Sequence, residues 1–361
     1  MDNYQVAHFA FFIYSTRMQK KKVFVGLSGG VDSALAAAYL VREGYDVTGV
    51  FIKIWQPEFV ACTWKEDRLA AMRVAVALGI PFETVDLSKE YKIEIIERMR
   101  SDYANGITPN PDVLCNRFVK FGAFWEWAQK HGADYVATGH HARIRKAAER
   151  YTLLRGVDPA KDQAYFLCRL TQDDLAHTLL PIGHLTKAEV RKEATRLDLP
   201  SATRPDSQGL CFVGEVDMLS FLKELLQTKR GDVLNESGEV VGTHEGAALY
   251  TLGQRHGFSV KSKDGPYFVV GIDTVGNTIT ISTNVHGAER KNIPLRDIQW
   301  VGGEADYTRV GEAEVRYHQK PQKILNASDS QVEFMAPQLA VPGQFCVFYA
   351  GEECLGSGII E

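Results

Sequence analysis

The stretch from Lys22 to Ser33 constrains the fold more than any other part of the chain. It reads Lys-Val-Phe-Val-Gly-Leu-Ser-Gly-Gly-Val-Asp-Ser. The apolar first half has the character of a buried strand, and an Ala-rich helical pattern from Ala34 to Val41 follows the Ser-Gly-Gly turn at once. Glycines at such a turn let backbone N–H groups close on a ligand, and a helix N-terminus favours an anion. The stretch therefore predicts a phosphate-binding strand–turn–helix unit.

The turn differs from two common phosphate-binding patterns. It contains neither Gly-x-x-x-x-Gly-Lys-Ser/Thr, which would aim a lysine at the phosphates, nor Gly-x-Gly-x-x-Gly. Ser-Gly-Gly-Val-Asp-Ser instead resembles the pyrophosphate-binding loop of the ATP pyrophosphatase (adenine nucleotide α-hydrolase) superfamily, whose members cleave ATP between the α and β phosphates. The resemblance implies that Asp32 helps to hold Mg²⁺ beside the phosphates, since that ion prefers carboxylate and phosphate oxygens.

Length and composition set broad limits. A chain of 361 residues has room for two or three domains. The formal net charge is −4, so any basic surface for a nucleic acid must be local. The 6 cysteines include no Cys-x-x-Cys pair, which favours reduced thiols in the cytoplasm over a disulfide scaffold or a zinc ribbon. No apolar run reaches the roughly 18–20 residues that cross a bilayer, so no membrane partner is predicted.

Strands and helices alternate through the first half of the chain. Strands are predicted at Tyr45–Ile52, Phe82–Leu87 and Asp134–Thr138, and helices at Trp64–Leu78 and from Ser88 to Tyr103. A capping box, Thr186 to Glu189, precedes a further helix. This alternation predicts right-handed βαβ units, a parallel sheet and a ligand beyond the carboxyl ends of its strands.

After about Val213 the pattern changes to short, Gly-rich, β-rich segments. We therefore predict an α/β chain in four parts. They are an N-terminal extension (1–20), a parallel-sheet ATP pyrophosphatase domain (21–213), a small mixed or β central domain (214–288) and a C-terminal β-barrel-like domain (289–361).

Two further stretches carry a cysteine on an unusual loop. Thr-Pro-Asn-Pro-Asp-Val-Leu-Cys-Asn ends with Cys115 and Asn116, and a helix predicted from Arg117 would lower the pKa of the Cys115 thiol. Asp-Ser-Gln-Gly-Leu-Cys-Phe places Cys211 on a Gly-containing turn. Two such thiols suit sulfur transfer, in which one holds a persulfide that the other attacks. The alternative is two unrelated buried cysteines.

These stretches occur in order with Ala137-Thr-Gly-His-His-Ala-Arg143, Lys161-Asp-Gln-Ala-Tyr-Phe-Leu and Tyr250-Thr-Leu-Gly-Gln-Arg255. From Lys22 to its end, the chain resembles the tRNA-specific 2-thiouridylase family, which places sulfur on carbon 2 of the wobble uridine. The resemblance implies ATP with Mg²⁺ as cofactors and the anticodon stem-loop of Glu-, Gln- or Lys-type tRNA as substrate. It also implies a sulfur-donor protein, either a cysteine desulfurase or a sulfur-relay protein.

The resemblance also implies a role for individual residues. Cys211 matches the persulfide carrier and Cys115 the nucleophile that resolves it, and Asp112 is placed to act as a general acid or base if its pKa is raised. The ATP-binding positions are Gly26, Leu27, Ser28, Gly29, Gly30, Val31, Asp32, Ser33, Ile52 and Gly139. The tRNA-binding positions are Asn110, Pro111, Asp112, His140, Lys161, Asp162, Gln163, Arg316, Tyr317 and Gln344.

Three positions depart from the family pattern. Leu27 and Ile52 stand where methionine is usual, and His141 replaces a usual tyrosine. Because these positions act through backbone contact or shape, no loss of chemistry is expected. Eight cations could form a local basic surface for RNA phosphates, namely Arg143, Arg145, Lys146, Arg150, Arg155, Lys187, Arg191 and Lys192. The alternative for each of them is an ordinary solvated position on a helix face.

Three alternatives stay open at this point. Asp112, Cys115 and Cys211 could hold an iron–sulfur cluster that binds hydrosulfide at an open iron position. The chain could be a tRNA-binding protein without catalysis, although the presence of Asp32 and both cysteines argues against this. It could also be an amidating ligase such as a GMP or asparagine synthetase, but it lacks an N-terminal glutaminase domain.

Overall fold

A computed structural model describes residues 20–57, 64–205, 218–261 and 265–361. Cys211 and the rest of the Asp206–Phe212 stretch lie outside the described residues, as do residues 1–19 of the predicted extension. The strands in chain order are β1 Lys22–Gly26, β2 Asp46–Lys53, β3 Phe82–Asp86, β4 Tyr135–Ala137, β5 Ala142–Ala147, β6 Arg150–Arg155, β7 Thr178–Leu179, β8 Gly231–Leu234, β9 Val240–His244, β10 Phe258–Val260, β11 Phe268–Asp273, β12 Thr278–Ser282, β13 Arg290–Trp300, β14 Glu312–Glu314, β15 Gln322–Ala327, β16 Gln331–Gln338, β17 Phe345–Ala350 and β18 Glu353–Ile360.

The α-helices are α1 Val31–Arg42, α2 Trp64–Leu78, α3 Ser88–Tyr91, α4 Arg98–Ala104, α5 Pro111–Leu114, α6 Phe124–Lys130, α7 Gln172–Ala176, α8 Lys187–Arg196 and α9 Met218–Leu226. Two π-helical segments, Lys92–Glu97 and Cys115–Ala123, make continuous helices of α3 with α4 and of α5 with α6. Single turns of tighter helix occur at Ala164–Leu167, Ala247–Leu249, Val285–Ala288 and Tyr307–Arg309.

The first sheet is parallel and has the order β3-β2-β1-β4-β7. Strand β1 pairs with β2 on one side and with β4 on the other, with Val25 opposite both Gly49 and Ala137. Val23, Phe24 and Val25 are all fully buried, because helices cover both faces of the sheet. Val23 and Val25 pack with residues of α1, α2 and α8, whereas Phe24 packs with the layer that contains α3 to α6. The predicted parallel α/β domain is confirmed.

The remaining strands form two further sheets. The central sheet has the order β10-β9-β8-β12-β11 and is mixed, because β8 and β12 run parallel. The C-terminal strands β13, β16, β15, β14, β17 and β18 follow one another antiparallel, and pairing of β13 with β18 closes them into a barrel. The predicted mixed central domain and C-terminal barrel are therefore confirmed as folds, and their residue boundaries stay predictions.

A hairpin of the first domain extends the barrel sheet. Strands β5 and β6 pair with each other, and β6 pairs with β18 through Leu153 opposite Cys354 and Leu154 opposite Glu353. The basic residues between Arg143 and Arg155 therefore lie on or next to β strands. The alternative prediction from the sequence, a solvated helix face, is wrong for these residues. This hairpin joins the first domain to the barrel.

Candidate active site

The loop between β1 and α1 has the geometry of an anion site. Gly29 has a φ of 79°, in the left-handed region where glycine is favoured, and Gly30 forms the N-cap of α1 without a side-chain cap. The Ser28 and Ser33 hydroxyls lie 3.3 Å apart and turn toward the loop's own backbone. The first N–H groups of α1 therefore stay available to a ligand, as the sequence predicts.

The loop that follows β4 packs directly against this helix start. A Cβ built on Gly139 would lie 2.5 Å from the carbonyl carbon of Asp32 and from the Ser33 nitrogen. Only glycine fits there, because real Cβ atoms do not approach backbone so closely. The structure thus brings Gly139 to the predicted nucleotide loop. Ile52, at the end of β2, lies on the same side and contacts the space above Gly26.

Asp32 is the charged centre of the loop. The Lys187 ammonium lies 2.8 Å from Asp32 Oδ1 and 2.7 Å from Oδ2, and His141 Nε2 lies 3.2 Å from Oδ1. Partial burial alone would raise the pKa of Asp32, but the His141 hydrogen bond and the Lys187 charge lower it below its ordinary value. Asp32 is therefore held as a carboxylate. Lys187 was expected on an RNA-binding surface and instead points into the protein.

One cavity of about 500 Å³ joins this loop to the second predicted stretch. Its wall includes the loop residues from Gly26 to Ser33 except Gly29, together with Ile52, Gly139 and Lys187. The same wall also includes Asp112, Asn116, Lys120, His140, Lys161, Gln163, Phe166, Tyr317 and His318. Residues predicted separately for ATP and for tRNA thus share a single space. Phe166, Asn116 and His318 were given no role from the sequence, and Lys120 was expected only to help lower the pKa of the Cys115 thiol; the fold shows that all four line this cavity.

The helix that carries Asp112 and Cys115 begins earlier than predicted. The Asn110 side chain caps it by accepting a hydrogen bond from the Val113 N–H at 3.2 Å, and Pro111 occupies the first helical turn. Cys115 therefore lies inside a continuous helix and not in front of a helix that starts at Arg117. Asn followed by Pro was the sequence signal for this start.

The environment of Cys115 contradicts the predicted low pKa. The side chain is fully buried, and it is absent from the cavity wall. Burial raises the pKa of the thiol to about 11; the Lys120 charge opposes this shift, and the Asp112 charge adds to it. The thiol is therefore protonated at neutral pH. Asp112 does reach the cavity, and its Oδ1 atom is buried without a hydrogen-bond partner among the residues that the structure describes.

Gln344 links the barrel to this helix. Its Nε2 donates to the carbonyl oxygens of Thr108 at 2.8 Å and Pro109 at 3.0 Å, and its Oε1 accepts from Asn110 Nδ2 at 3.2 Å. The carboxamide was predicted to contact tRNA. In this structure its hydrogen bonds go to residues 108–110 instead.

The other positions predicted to contact tRNA differ in where their side chains lie. Asp162 is buried, pairs with Arg155 at 2.9 Å and accepts from the Gly156 and Ala164 N–H groups, so it supports the loop instead of facing a ligand. His140 is buried, and burial, with the Lys120 charge, lowers its pKa well below the ordinary value, so the ring is neutral. It reaches the cavity, as do Lys161, Gln163 and Tyr317. Arg316 is exposed.

Two aromatic rings form one wall of the cavity. The rings of Phe166 and Tyr317 have centroids 4.2 Å apart, and Tyr165 lies 5.9 Å from Tyr317. Burial, with the nearby Asp162 and Asp112 charges, raises the pKa of Tyr317 to about 12, so its hydroxyl is neutral. Flat apolar faces next to polar groups suit an unstacked nucleobase.

Two negative findings apply to the described part of the chain. No group of three or more His, Cys, Asp or Glu side chains is arranged there to hold a metal ion. No helix there is both long and apolar enough to span a bilayer.

Comparison with known proteins agrees with this architecture. Residues 21–215 match the family described as the tRNA methyl transferase HUP domain. Residues 219–283 match the tRNA methyl transferase PRC-barrel domain, and residues 290–360 match the aminomethyltransferase beta-barrel domain. Together the three matches cover nearly all of the chain that the structure describes.

Curated relatives match over almost the full length. The tRNA-specific 2-thiouridylase MnmA of Listeria innocua is 42% identical over 96% of this chain and 96% of its own. The protein of that name from Bacillus subtilis is 41% identical with the same two coverages. MnmA 1 of Geobacillus kaustophilus is 43% identical over 95% of this chain and 96% of its own. At this identity over nearly whole chains, this protein belongs to the tRNA-specific 2-thiouridylase family.

Proposed function

We propose that this chain uses ATP to replace the O2 oxygen of the wobble uridine of tRNA with sulfur. The observation that carries the proposal is the shared cavity, in which the nucleotide loop and the Asp112 end are continuous. An enzyme that joins AMP to a base needs both substrates in one enclosed space. Membership of the family supports the same reaction.

The first step is adenylation. The triphosphate would lie on the loop from Gly26 to Ser33, with its negative charge toward the N-terminus of α1. The uracil O2 attacks the α-phosphorus, the bond to the β-phosphate oxygen breaks and pyrophosphate leaves. Mg²⁺ would neutralise phosphate charge, and the carboxylate of Asp32 together with phosphate oxygens would hold it.

The target uridine must leave its stack to reach this site, since its carbon 2 is inaccessible within stacked bases. The Phe166 and Tyr317 rings offer a face on which the base can lie. Asp112 sits in the same part of the cavity wall and is our candidate for moving protons. Lys161, His140 and Gln163 line the same cavity and are our candidates for contacts with the flanking nucleotides.

The second step is sulfur transfer. Cys211 holds a terminal sulfur as a persulfide, which a sulfur-donor protein supplies. The Cys115 thiolate attacks the inner persulfide sulfur, so a Cys115–Cys211 disulfide forms and hydrosulfide is released. Hydrosulfide attacks carbon 2, AMP leaves with the former O2 atom, and a thiol reductant resets the disulfide. Because the Cys115 thiol is protonated at neutral pH, this step requires a base, and we assign that role to Asp112.

The test is a thiolation assay on the full chain with ATP, MgCl2, tRNA, a thiol reductant and a cysteine desulfurase with cysteine as the persulfide donor, followed by mass analysis of nucleosides. We expect one oxygen of uridine to be replaced by sulfur, only when ATP is present. Cys211→Ser should abolish the product. Cys354→Ser is the matched control, because Cys354 is buried in the barrel away from the cavity.

Two results would redirect the mechanism. Full turnover of Cys211→Ser with the persulfide donor would exclude the persulfide role. Visible absorbance after anaerobic purification, lost in Asp112→Ala, would favour the iron–sulfur route. A cytoplasmic location and the preference for Glu-, Gln- or Lys-type tRNA remain predictions from the sequence.

A further inference from the structure

Asn116 is held by one half of its side-chain amide. Its Nδ2 donates a hydrogen bond of 3.0 Å to the carbonyl oxygen of Phe166, and only 2% of the residue is exposed. Because a carbonyl oxygen can only accept, this contact fixes which way round the amide lies. The other half, Oδ1, is buried and has no hydrogen-bond partner among the residues that the structure describes.

Asn116 also forms part of the cavity wall. Asp112, Asn116 and Lys120 follow one another at four-residue spacing, and all three line the cavity. The helix is π-helical from Cys115 onward, a rare conformation that recurs at functional sites. A buried acceptor without a partner is costly, so in a cavity wall we expect a bound ligand to supply the donor.

The aromatic wall beside Asn116 indicates which part of a ligand would meet this oxygen. The Asn116 amide is bonded to the backbone of Phe166, and the ring of Phe166 packs on Tyr317 with centroids 4.2 Å apart. A base that lies on these rings turns its edge toward the polar side chains around them. A single acceptor at that place selects a base whose edge carries a donor.

Uracil and cytosine differ at the edge atom next to the reacting carbon. In uracil, N3–H is a donor between the O2 and O4 acceptors, whereas N3 of cytosine is an acceptor that would oppose the Asn116 oxygen. N3 is bonded to carbon 2, so a hydrogen bond from N3–H also sets the direction of O2. As O2 attacks phosphorus, positive charge develops at N3–H and strengthens that hydrogen bond.

We infer that Asn116 Oδ1 accepts a hydrogen bond from uracil N3–H and thereby restricts the reaction to uridine at the wobble position. This inference rests on the proposed function and names the residue that selects its base. Asn116 binds and orients the base only, because a carboxamide is too weak a base to take the N3 proton.

A competition assay on the full chain tests this selection. Two anticodon stem-loop RNAs, with uridine or cytidine at the wobble position, are mixed in equal amounts with ATP, MgCl2, a thiol reductant and the persulfide donor. Mass analysis then gives the ratio of 2-thiouridine to 2-thiocytidine. The wild type should favour uridine at least 100-fold, and Asn116→Ala should lose about 10- to 100-fold of this preference. The ratio does not depend on the folded fraction of the variant, since both RNAs compete for the same molecules.

Gln172→Ala is the matched control. The Gln172 amide lies away from the cavity wall, and both of its halves already have partners. Its Oε1 accepts from the Tyr151 N–H at 2.8 Å, and its Nε2 donates to the carbonyl oxygens of Tyr151 and Val301. We expect the wild-type ratio of products in this variant, whatever stability it loses.

A change in the RNA tests the same hydrogen bond without a change in the protein. In 3-deazauridine a C–H group replaces N3–H and adds no bulk. With MgCl2 and α,β-methylene-ATP, which resists cleavage at the reacting bond, the wild type should bind the 3-deazauridine RNA about tenfold more weakly than the uridine RNA. Asn116→Ala should bind the two RNAs equally, within about twofold, because the contact is already lost.

Three results would overturn the inference. The first is an unchanged product ratio in Asn116→Ala with slower formation of both products, which would indicate a purely structural amide. The second is equal binding of the two RNAs by the wild type. The third is the same tenfold difference in Asn116→Ala, which would assign N3–H to another acceptor. If the wild type forms no 2-thiouridine, the proposed function fails instead, and the binding comparison still judges Asn116.

Discussion

Asn110 Nδ2 donates a hydrogen bond of 3.2 Å to Gln344 Oε1, and this contact joins the first domain to the barrel. Asn110 also caps the helix that carries Asp112 and Cys115. The Gln344 and Asn110 side chains therefore connect the barrel to the helix that carries the proposed catalytic residues. Two further hydrogen bonds from Gln344 hold the carbonyl oxygens just before Asn110.

Gln344→Leu should reduce kcat for thiolation by about tenfold or more, because the helix cap loses its support and the reacting groups lose their alignment. The free energy of unfolding should fall by about 1–3 kcal/mol for three lost hydrogen bonds. Steady-state kinetics with tRNA and urea denaturation measure the two effects. A direct tRNA contact would instead raise KM and leave kcat unchanged.

Gln338→Leu is the control for that variant. Gln338 is buried, whereas Gln344 is half-buried, and the hydrogen bonds of the Gln338 amide stay within the barrel, to Gln319 and the Ala336 carbonyl. We expect a similar loss of stability with wild-type kcat. If the two variants lose kcat in the same proportion, the link from Gln344 to Asn110 has no special role.

Gly139→Ala should weaken binding of α,β-methylene-ATP by about tenfold or more, because the added methyl would push the Asp32–Ser33 backbone out of position. Titration calorimetry with MgCl2 measures the change. Gly287→Ala is the matched control, since a Cβ there meets no atom within 4 Å. Unaltered nucleotide affinity in Gly139→Ala would show that the close approach of the two loops is unimportant.

The Cys115 thiol should resist alkylation in the folded protein. A pKa raised from 9.0 to about 11 lowers its thiolate fraction at pH 8 about 100-fold, and burial blocks the reagent as well. Iodoacetamide labelling followed by peptide mass spectrometry should show at least that ratio between urea-unfolded and native protein. Rapid labelling of native Cys115 would contradict the buried, protonated state.

A buried carboxyl group should make stability depend on pH. Glu314 pairs with Arg155 at 2.7 Å, yet burial raises the pKa of Glu314 from 4.5 to about 7. Although burial opposes it, Tyr349, Glu314 and Asp162 raise the pKa of Arg155, which favours its charged form. The raised pKa of Glu314 indicates a weakened ion pair, whereas the raised pKa of Arg155 indicates a strong one, so the two shifts disagree. We give more weight to burial of Glu314, because Arg155 shares its charge with Asp162.

The folded state then binds more protons than the unfolded state between about pH 4.5 and 7. The contribution of Glu314 to the free energy of unfolding is present below pH 4.5 and falls as pH rises through this range, by up to about 3 kcal/mol. Glu314→Gln should flatten the dependence in urea denaturation at pH 5 and pH 8. An unchanged difference between these two pH values would show that Glu314 titrates normally.

The nucleotide half of the site could be predicted because its information is local. A strand, a Ser-Gly-Gly turn and a helix occupy consecutive residues, and the sheet places the loops after β1 and β4 side by side. The same reasoning predicted the capping box at Thr186. It did not predict where Lys187 points, because direction depends on how α8 packs against α1.

The chemistry of Cys115 illustrates the opposite case. Its pKa depends on total burial, which tertiary packing decides, and on a helix start at Asn110 that the Asn-Pro pair signals only weakly. The Phe166–Tyr317 wall joins residues that are distant in sequence and belong to different domains. Such contacts depend on how the first domain packs against the barrel, which no local pattern revealed.

The central claim is that ATP activates the O2 oxygen of uridine. The most direct test uses tRNA carrying ¹⁸O at carbon 2 of the wobble uridine, with ATP, MgCl2 and a sulfide source, and mass analysis of the released AMP. Our account predicts one ¹⁸O in each AMP formed, in step with 2-thiouridine. Thiolated tRNA accompanied by unlabelled AMP, or by ADP and phosphate, would contradict it.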